Sequence, residues 1–250
     1  MKKCVVFDFE GALYTTNQAQ KETILRALYK LCKKENVNVV VSAESSHDAV
    51  VKYLGNVSTK LLLISSKCGT LIKDREGYIV YDAPPRDLSF TPDMLADIMQ
   101  HHHANCYRYK TPWDASVNLS FLHPLIVKYR ILGNQDQRVA HYKAYDEQLM
   151  DRYMLCGLLT KKYSHIQAVV SADDGVLIIP KGIGKGSIAE VLSTYYGAEM
   201  SYYIFGDRFH PYHTDDALFR KFKDFFLPTV HIQCHSAKNT TQMIERLFLC

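Results

Sequence analysis

Charged and polar side chains follow several predicted strands of this sequence, at the points where those strands end. They are Asp8 and Glu10, then Ser45, then Lys185, and finally Asp207 with Asp215. In an open α/β sheet, ligands bind beyond the carboxyl ends of the strands. Phosphoryl transfer needs a carboxylate that attacks phosphorus, a second acid or base, and oxygen ligands for Mg²⁺. It also needs a hydroxyl and an ammonium for the phosphate oxygens. We therefore predict a phosphoryl-transfer site, although each residue alone is also typical of a solvated loop.

Strands and helices alternate in the first third of the chain. Cys4–Phe7 is an unbroken apolar run, which is typical of a parallel strand buried on both faces. Apolar residues then recur with helical spacing in Gln18–Lys34. The next predicted elements are strand Val37–Val41, helix His47–Leu54 and strand Leu61–Ile64. This β-α-β-α-β order predicts a doubly wound parallel sheet.

The pattern changes between about residues 83 and 183, where predicted strands are shorter and alternate more. The elements predicted there are strand Val117–Phe121, helix Asp146–Lys161 and strand Val176–Ile179. The first pattern then resumes with helix Ser187–Tyr195, strand Tyr202–Phe205, helix Asp215–Phe225, strand Thr229–Gln233 and helix Thr240–Leu249. We predict an α/β fold with a Rossmann-like, doubly wound parallel sheet core at 1–82 and 184–250. An inserted α+β cap domain is predicted at 83–183.

The composition is ordinary for a globular protein and argues against several classes. The 250 residues carry a formal net charge of +4, which suits an anionic small molecule and is too weak to indicate nucleic acid. No apolar run has the length of a transmembrane helix, so no membrane partner is expected. The seven cysteines form no Cys-x-x-Cys pair, which argues against a zinc site or a disulfide framework and favours a reducing, cytoplasmic setting.

Several motifs resemble those of the haloacid-dehalogenase-like superfamily, and within it the eukaryotic-type phosphomannomutases. Val5–Leu13 resembles the family's strand followed by Asp-x-Asp-Gly-Thr-Leu. The most specific motif is Ile204–Asp215, which keeps the family's Gly-Asp, Pro and final Asp at their spacing. Further similar motifs are Val40–Ser46 with Leu54–Asn56, Lys67–Gly69, Asn118–Phe121 and Pro180–Gly186. The resemblance covers nearly the whole chain.

This resemblance implies a role for each polar residue at the strand ends. Asp8 would be the nucleophile that becomes phosphorylated. Ser45 and Lys185 would bind the transferring phosphate. The Mg²⁺ site would be made by Asp8, the backbone carbonyl of Glu10 and Asp207, with Asp215 in support.

The resemblance also implies a reaction. The family interconverts mannose 6-phosphate and mannose 1-phosphate for GDP-mannose biosynthesis, using Mg²⁺ and a sugar 1,6-bisphosphate that phosphorylates the nucleophile. Its members are cytosolic and usually form homodimers through the cap. By this analogy the substrate is a phosphorylated hexose. The cap residues expected to contact it are Asn118 and Ser120, together with Arg108 and Lys110 on an adjacent predicted strand.

The sequence departs from the family at the residues that carry the chemistry. Glu10 stands where the family has the aspartate acid/base, and misplacing a carboxyl by roughly 1 Å can cost on the order of 100-fold in rate. The family's cap arginines fall on Trp113, on Pro124 and near His102, and a core arginine falls on Asn17. Two alternatives to a mutase therefore stay open. One is a sugar phosphatase with a changed substrate, and the other is a catalytically impaired homologue that acts as a binding protein.

Overall fold

The chain divides into two compact units, each described by itself. The computed structural model describes residues 2–83, 91–109, 120–123, 126–130, 146–171, 175–208 and 212–249. The core unit consists of Met1–Ala83 with Ile183–Cys250, and the inserted unit consists of Pro84–Gly182. No helix among the described residues has the length and apolar character needed to cross a membrane.

The described strands and helices alternate along the core unit, except for three consecutive strands that precede the insertion, and the inserted unit contains both kinds of element. The strands are β1 Lys2–Asp8, β2 Val37–Ser42, β3 Leu63–Ser66, β4 Leu71–Asp74, β5 Ile79–Asp82, β6 Ser120–His123, β7 Ile126–Arg130, β8 Ile166–Ser171, β9 Gly175–Pro180, β10 Met200–Gly206 and β11 Thr229–Gln233. The helices are α1 Gln18–Cys32, α2 His47–Leu54, α3 Pro92–Tyr109, α4 Asp146–Lys162, α5 Ser187–Tyr196, α6 Thr214–Asp224 and α7 Ala237–Ile244.

The core unit is built on a seven-stranded sheet with the order β11-β10-β1-β2-β3-β4-β5. The first five strands in this order run parallel, whereas β4 and β5 form an antiparallel hairpin at one edge. β1 therefore lies at the centre of the parallel strands. The carboxyl ends of these strands meet at one edge of the sheet, and Asp8 is the last residue of β1.

The apolar run of β1 is explained by burial on both faces of the sheet. Val5 and Phe7 pack in a cluster with side chains from α1, α2 and α7. Cys4 and Val6 point to the opposite face and pack with side chains from α5 and α6. Because neither face meets solvent, the strand needs apolar residues at every position. Its last residue, Asp8, is the first acidic one, and it comes where the strand ends.

The inserted unit contains a four-stranded antiparallel sheet with the order β6-β7-β9-β8. Helices α3 and α4 supply Met94, Ile98, Leu155 and Leu159 to a buried cluster with side chains of β8 and β9. An antiparallel sheet with helices packed on it is an α+β arrangement.

Most predicted elements are confirmed, and most of their ends differ by one or two residues. The last helix differs more: α7 spans Ala237–Ile244 rather than Thr240–Leu249, and a π-helical turn, Glu245–Leu249, follows it. α2 and β11 match their predicted bounds, whereas β3 begins at Leu63 rather than Leu61. The 3₁₀ turn Gly55–Lys60 directly precedes Leu61 and delays entry into the sheet. The edge hairpin of β4 and β5 was not predicted. Its strands have four residues each and are mostly only partly buried, so they show neither a buried run nor a clear alternation.

The strand predicted around Arg108 is wrong, because helix α3 continues through Tyr109. Between Pro92 and Pro112 the sequence contains no glycine or further proline, so nothing interrupts the helix. Its end three residues before Pro112 agrees with the bias of residues before proline against helical backbone. The three consecutive histidines that begin at His101 lie within this helix.

Candidate active site

Asp8 lies at the centre of a group of buried charged side chains. In the sheet register it is opposite Ser42, the last residue of β2, and β1 pairs with β10 on its other side. The loops that follow β2 and β10 therefore begin beside Asp8, which is only 1% exposed. Burial and then the nearby Asp215 carboxylate raise the pKa of Asp8 well above its ordinary value, and the Lys185 ammonium opposes both effects.

A π-helical turn, Phe9–Leu13, brings the chain back over Asp8. The backbone N–H of Gly11 donates to Asp8 Oδ2 at 2.5 Å. A Cβ on Gly11 would lie 2.5 Å from Asp207 Oδ1 and 2.7 Å from Asp8 Oδ2, which is closer than real contacts allow. A side chain at position 11 would therefore displace one or both of these carboxylates.

Lys185 is the cation of the group, and only 1% of its surface is exposed. Its ammonium is in direct contact with Asp8 Oδ1 and lies 3.1 Å from Asp215 Oδ1. It also lies 3.7 Å from both Glu10 Oε2 and Glu44 Oε1. Burial lowers the pKa of Lys185, but the carboxylates, Asp215 and Asp8 foremost, outweigh burial and raise this pKa well above its ordinary value. Lys185 is therefore charged.

The loop that carries Lys185 is held by a close backbone contact. Gly69 has φ +80°, and a Cβ on it would lie 1.8 Å from the carbonyl oxygen of Gly184. Lys67 in the same turn also has positive φ, and its N–H donates to the carbonyl of Ser45 at 2.8 Å. One turn thus joins the Lys185 loop to the loop after β2.

Asp207 and Asp215 come from the loop after β10 and the start of α6. The N–H of Asp207 donates to Asp215 Oδ2 at 3.2 Å. Burial raises the pKa of Asp215, but the Lys185 ammonium beside it lowers this pKa more, so it lies below the ordinary value. Burial and the neighbouring Asp215 raise the pKa of Asp207 to about 6. Asp215 is therefore the more strongly ionised of the two.

His213 lies beside these aspartates and is buried. Ligand atoms of Asp207, His213 and Asp215 lie within 4.8 Å of one another, a spacing that a metal ion could bridge. However, His213 caps α6, and its Nδ1 accepts from the N–H of Asp215 at 3.5 Å. Burial lowers the pKa of His213 to about 4, so the ring is neutral and Nε2 carries the proton. In this tautomer we interpret His213 as a helix cap rather than a metal ligand.

The carboxylate of Glu10 does not point into solvent but binds the loop after β2. Both of its oxygens accept from the N–H of Glu44 at 3.0 Å, and Oε1 also accepts from the N–H of Ser45 at 2.9 Å. The Glu44 side chain accepts from the Thr214 hydroxyl at 2.9 Å. Two consecutive backbone donors of this loop are therefore occupied by an anion from the chain itself.

The donor set fits a divalent cation of the Mg²⁺ type. Around the Lys185 ammonium and the Arg208 guanidinium, which lies 3.6 Å from Asp207, the site gathers an excess of carboxylates. They are Asp8, Glu10, Glu44, Asp207 and Asp215. Oxygen ligands of this kind are those that Mg²⁺ prefers, and Asp8 and Asp207 already converge on the small space beside Gly11.

Most core residues predicted from the sequence come together here. Asp8, Glu10, Lys185 and Asp215 are linked by contacts with one ammonium, Asp207 is bonded to Asp215, and Ser45 contributes its backbone N–H. Asn118 and Lys110 lie outside the described residues, as do the side chains of Arg108 and Ser120.

Sequence reasoning missed Glu44, His213 and Thr214. Glu44 directly precedes Ser45 at the same edge of the sheet as Asp8, so its position at a strand end was an available signal. His213 and Thr214 lie inside the motif that ends at Asp215. Their roles depend on the cap of α6 and on the bond to Glu44, neither of which a motif shows.

The fold of the chain is similar to that of a solved haloacid dehalogenase-like hydrolase. A hydrolase of this kind from Bacteroides thetaiotaomicron matches with a TM-score of 0.54 and 14% identity, over 99% of this chain and 100% of that one. No protein-family model matches the sequence, and no curated protein sequence matches it.

Two further solved structures with this fold are phosphatases. The C-terminal domain of trehalose-6-phosphate phosphatase from C. albicans matches with a TM-score of 0.63 and 16% identity, over 98% of this chain and 91% of that one. The sucrose-phosphatase of Synechocystis, solved with sucrose and phosphate, matches with a TM-score of 0.56 and 13% identity, over 98% of each chain. At these identities the likeness concerns the fold.

Proposed function

We propose that this protein is a Mg²⁺-dependent phosphatase that hydrolyses the phosphate ester of a small sugar through an aspartyl-phosphate on Asp8. The observation that carries the proposal is the buried contact between Asp8 and Lys185 at the carboxyl edge of the sheet, with Asp207 and Asp8 both close to Gly11. A nucleophilic carboxylate, a fixed cation and further oxygen ligands are the groups that phosphoryl transfer requires.

In the first step a carboxylate oxygen of Asp8 attacks phosphorus and the ester P–O bond breaks. The leaving sugar oxygen takes a proton from Glu10, which is two residues from the nucleophile. In the second step water attacks the aspartyl-phosphate and gives a proton to Glu10, so that inorganic phosphate and the Asp8 carboxylate are released. Each proton transfer uses the same acid/base group in opposite directions.

The other polar groups of the site bind the negatively charged phosphate and the Mg²⁺ ion. The Lys185 ammonium and the backbone donors of Glu44 and Ser45 bind the phosphate oxygens, and donors that are already fixed in place stabilise the charge that develops there. Asp8, Asp207 and the carbonyl of Glu10 would hold Mg²⁺, with Asp215 orienting Asp207 and Lys185. When bound, Mg²⁺ neutralises part of the phosphate charge and draws the nucleophile and the phosphate together.

Hydrolysis agrees better with the sequence than mutase chemistry does. A mutase must hold a second phosphate in its cap, and the positions of the family's arginines fall on Trp113 and Pro124. Phosphohexose mutase activity with a sugar 1,6-bisphosphate activator is the second candidate, carried by the motif Ile204–Asp215. Cap contacts from Asn118, Ser120 and Lys110, a cap-mediated homodimer and a cytoplasmic location stay predictions of the sequence.

The test is release of inorganic phosphate by the purified full chain. Substrates are trehalose 6-phosphate, sucrose 6-phosphate, mannose 6-phosphate, mannose 1-phosphate and p-nitrophenyl phosphate, each with Mg²⁺ or with a chelator. We expect Mg²⁺-dependent release that Asp8→Asn abolishes, and acid-quenched wild-type protein that carries one phosphoryl group on Asp8. Asp224→Asn, which removes an exposed carboxylate at the end of α6, is the matched control and should retain activity.

Two results would change the proposal. A coupled assay with mannose 1-phosphate and a sugar 1,6-bisphosphate that yields mannose 6-phosphate, with little free phosphate, would favour the mutase. No phosphate release from any substrate, together with no phosphorylation of Asp8, would leave the binding-protein alternative.

A further inference from the structure

Glu10 holds the position that a substrate phosphate must reach. Its carboxylate accepts from the N–H groups of Glu44 and Ser45 at 2.9–3.0 Å, with Oε2 3.7 Å from the Lys185 ammonium. Consecutive backbone N–H groups beside a fixed cation form a binding place for an oxyanion. Here the oxyanion is a side chain of the same protein.

The same ammonium connects this place to the nucleophile. Lys185 contacts Asp8 on one side and faces Glu10 on the other. A phosphoryl group that is attacked by Asp8 and bound by Lys185 has to place its oxygens close to where the Glu10 carboxylate now lies. Two anions cannot share these donors, because like charges at such short range repel each other.

We propose that Glu10 is a built-in phosphate surrogate, which occupies the donors of Glu44 and Ser45 until the phosphate of a substrate displaces it. This inference rests on the proposed function, because that function makes Asp8 and Lys185 the centre of phosphate binding. Binding and activation are then one event. The incoming phosphate takes the two N–H groups, and the released Glu10 carboxylate takes up a proton from solvent, which it then gives to the leaving oxygen.

The length of the side chain is what permits this role. An aspartate at position 10 is one methylene shorter, so it cannot hold both N–H groups from the same backbone position without moving the turn Phe9–Leu13. That turn is fixed by the bond from Gly11 to Asp8 and by the contact of Gly11 with Asp207. The glutamate therefore adds competition for the phosphate site that an aspartate would lack.

The experiment measures the affinity of the full chain for inorganic phosphate, with Mg²⁺ present, by isothermal titration calorimetry. Glu10→Gln removes the charge with little change in shape, and Glu10→Ala removes the carboxylate entirely. Each is expected to bind phosphate on the order of tenfold more tightly than wild type, the size of effect that one charge-assisted bond supplies. Glu10→Asp should bind more tightly than wild type while keeping an acid/base group.

Glu35→Gln is the matched control, because Glu35 is exposed outside the site and its loss changes the net charge by the same amount. It should leave the phosphate affinity unchanged. In activity assays, Glu10→Gln should lower kcat while phosphate becomes a stronger product inhibitor. A purely structural role of Glu10 would not produce this opposite pair of changes.

Equal phosphate affinity in wild type, Glu10→Gln and Glu10→Asp would overturn the inference, and so would failure of every variant to bind phosphate. If Glu10→Ala does not fold, the other two variants decide. The two proposals fail separately. If the Glu10 variants bind phosphate more tightly but Asp8 is never phosphorylated, the phosphatase proposal fails and the role of Glu10 as a phosphate surrogate stands. If the protein turns over substrate but the Glu10 variants bind phosphate with unchanged affinity, the phosphatase proposal stands and the surrogate role fails.

Discussion

Two lysines, one in each unit, show how differently the two regions of this molecule use charge. In the inserted unit, Lys162 lies 2.7 Å from Asp97 Oδ2, and the Tyr163 hydroxyl donates to the same carboxylate. The Lys162 side chain is 50% exposed. In the core unit, Lys185 is 1% exposed and faces four carboxylates, of which Asp8 and Asp215 are equally buried.

The Lys162 pair has the features of a solvated ion pair, whereas the group around Lys185 has those of a functional site. One cation with one carboxylate at the surface is balanced, and such pairs contribute little to stability. A group of several buried carboxylates around one cation has a net negative charge, and burying this charge costs free energy unless another cation is bound. An arrangement of that kind is expected where function, rather than folding, determines the residues.

The largest predicted difference comes from removing each cation in turn. Lys185→Met should lower kcat by on the order of 10²- to 10³-fold, because a fixed donor to the phosphate is lost. It should also destabilise the core unit by about 3–5 kcal/mol, since buried carboxylates lose their partner. Lys162→Met should leave kcat unchanged and shift the unfolding midpoint only slightly. Steady-state kinetics measure kcat and denaturant unfolding measures the stability of each variant. If Lys185→Met and Lys162→Met change kcat and stability to a similar extent, the two lysines do not differ in role as proposed.

A smaller effect is expected from pushing the carboxylates of the site apart. Gly11→Ala places a Cβ between Asp8 and Asp207 and should lower kcat by on the order of 100-fold and raise the Mg²⁺ concentration needed for activity. Gly77→Ala is the control, because a Cβ on Gly77 would meet open space, although Gly77, unlike Gly11, has positive φ. It should reduce stability without changing kcat. Unaltered Mg²⁺ dependence in Gly11→Ala would argue against a metal held by Asp8 and Asp207.

The smallest effect concerns acid stability of the inserted unit. The hydrogen bond from Lys162 lowers the pKa of Asp97, so its contribution is present above the unfolded-state pKa near 4 and is lost as pH falls through the lower folded-state pKa. Asp97→Asn should therefore lower the thermal midpoint at neutral pH, by at most about 4 °C, and have no effect near pH 2. In a Lys162→Met background most of this pH dependence should vanish. A pH-independent difference would contradict the assigned cause.

The parts of the fold that could be predicted from the sequence are those with an unambiguous local pattern. Cys4–Phe7 is an unbroken apolar run, and α2 has Ser46 as its N-cap and Gly55 as its C-cap. The β4 and β5 hairpin has no such pattern, since its pairing to β3 is decided by neighbours in space. Helix α3 was misread at Arg108 because short-range alternation there resembles a strand.

The site was predictable in its residues but not in its contacts. Asp8 ends its strand as expected, and Lys185 and Asp215 lie where helices begin, in the motifs that predicted them. Burial of a lysine among carboxylates, however, depends on the packing of Gly69 against Gly184, more than 100 residues apart in sequence. Glu10 was recognised as a departure from the family. That its carboxylate binds the N–H groups of Glu44 and Ser45 required the three-dimensional register of β1 and β2.

The chain leaves and re-enters the core unit at neighbouring places. The N–H of Ala83 donates to the carbonyl of Thr70 at 2.8 Å, and Gly184 packs against Gly69, the residue before Thr70. Closing such a gap takes only a short linker, and the entropy of loop closure grows slowly with length. We therefore expect the sheet of the core unit to tolerate inserted segments of very different length between Ala83 and Ile183. Such an exchange would leave the residues at the carboxyl edge of the sheet in place.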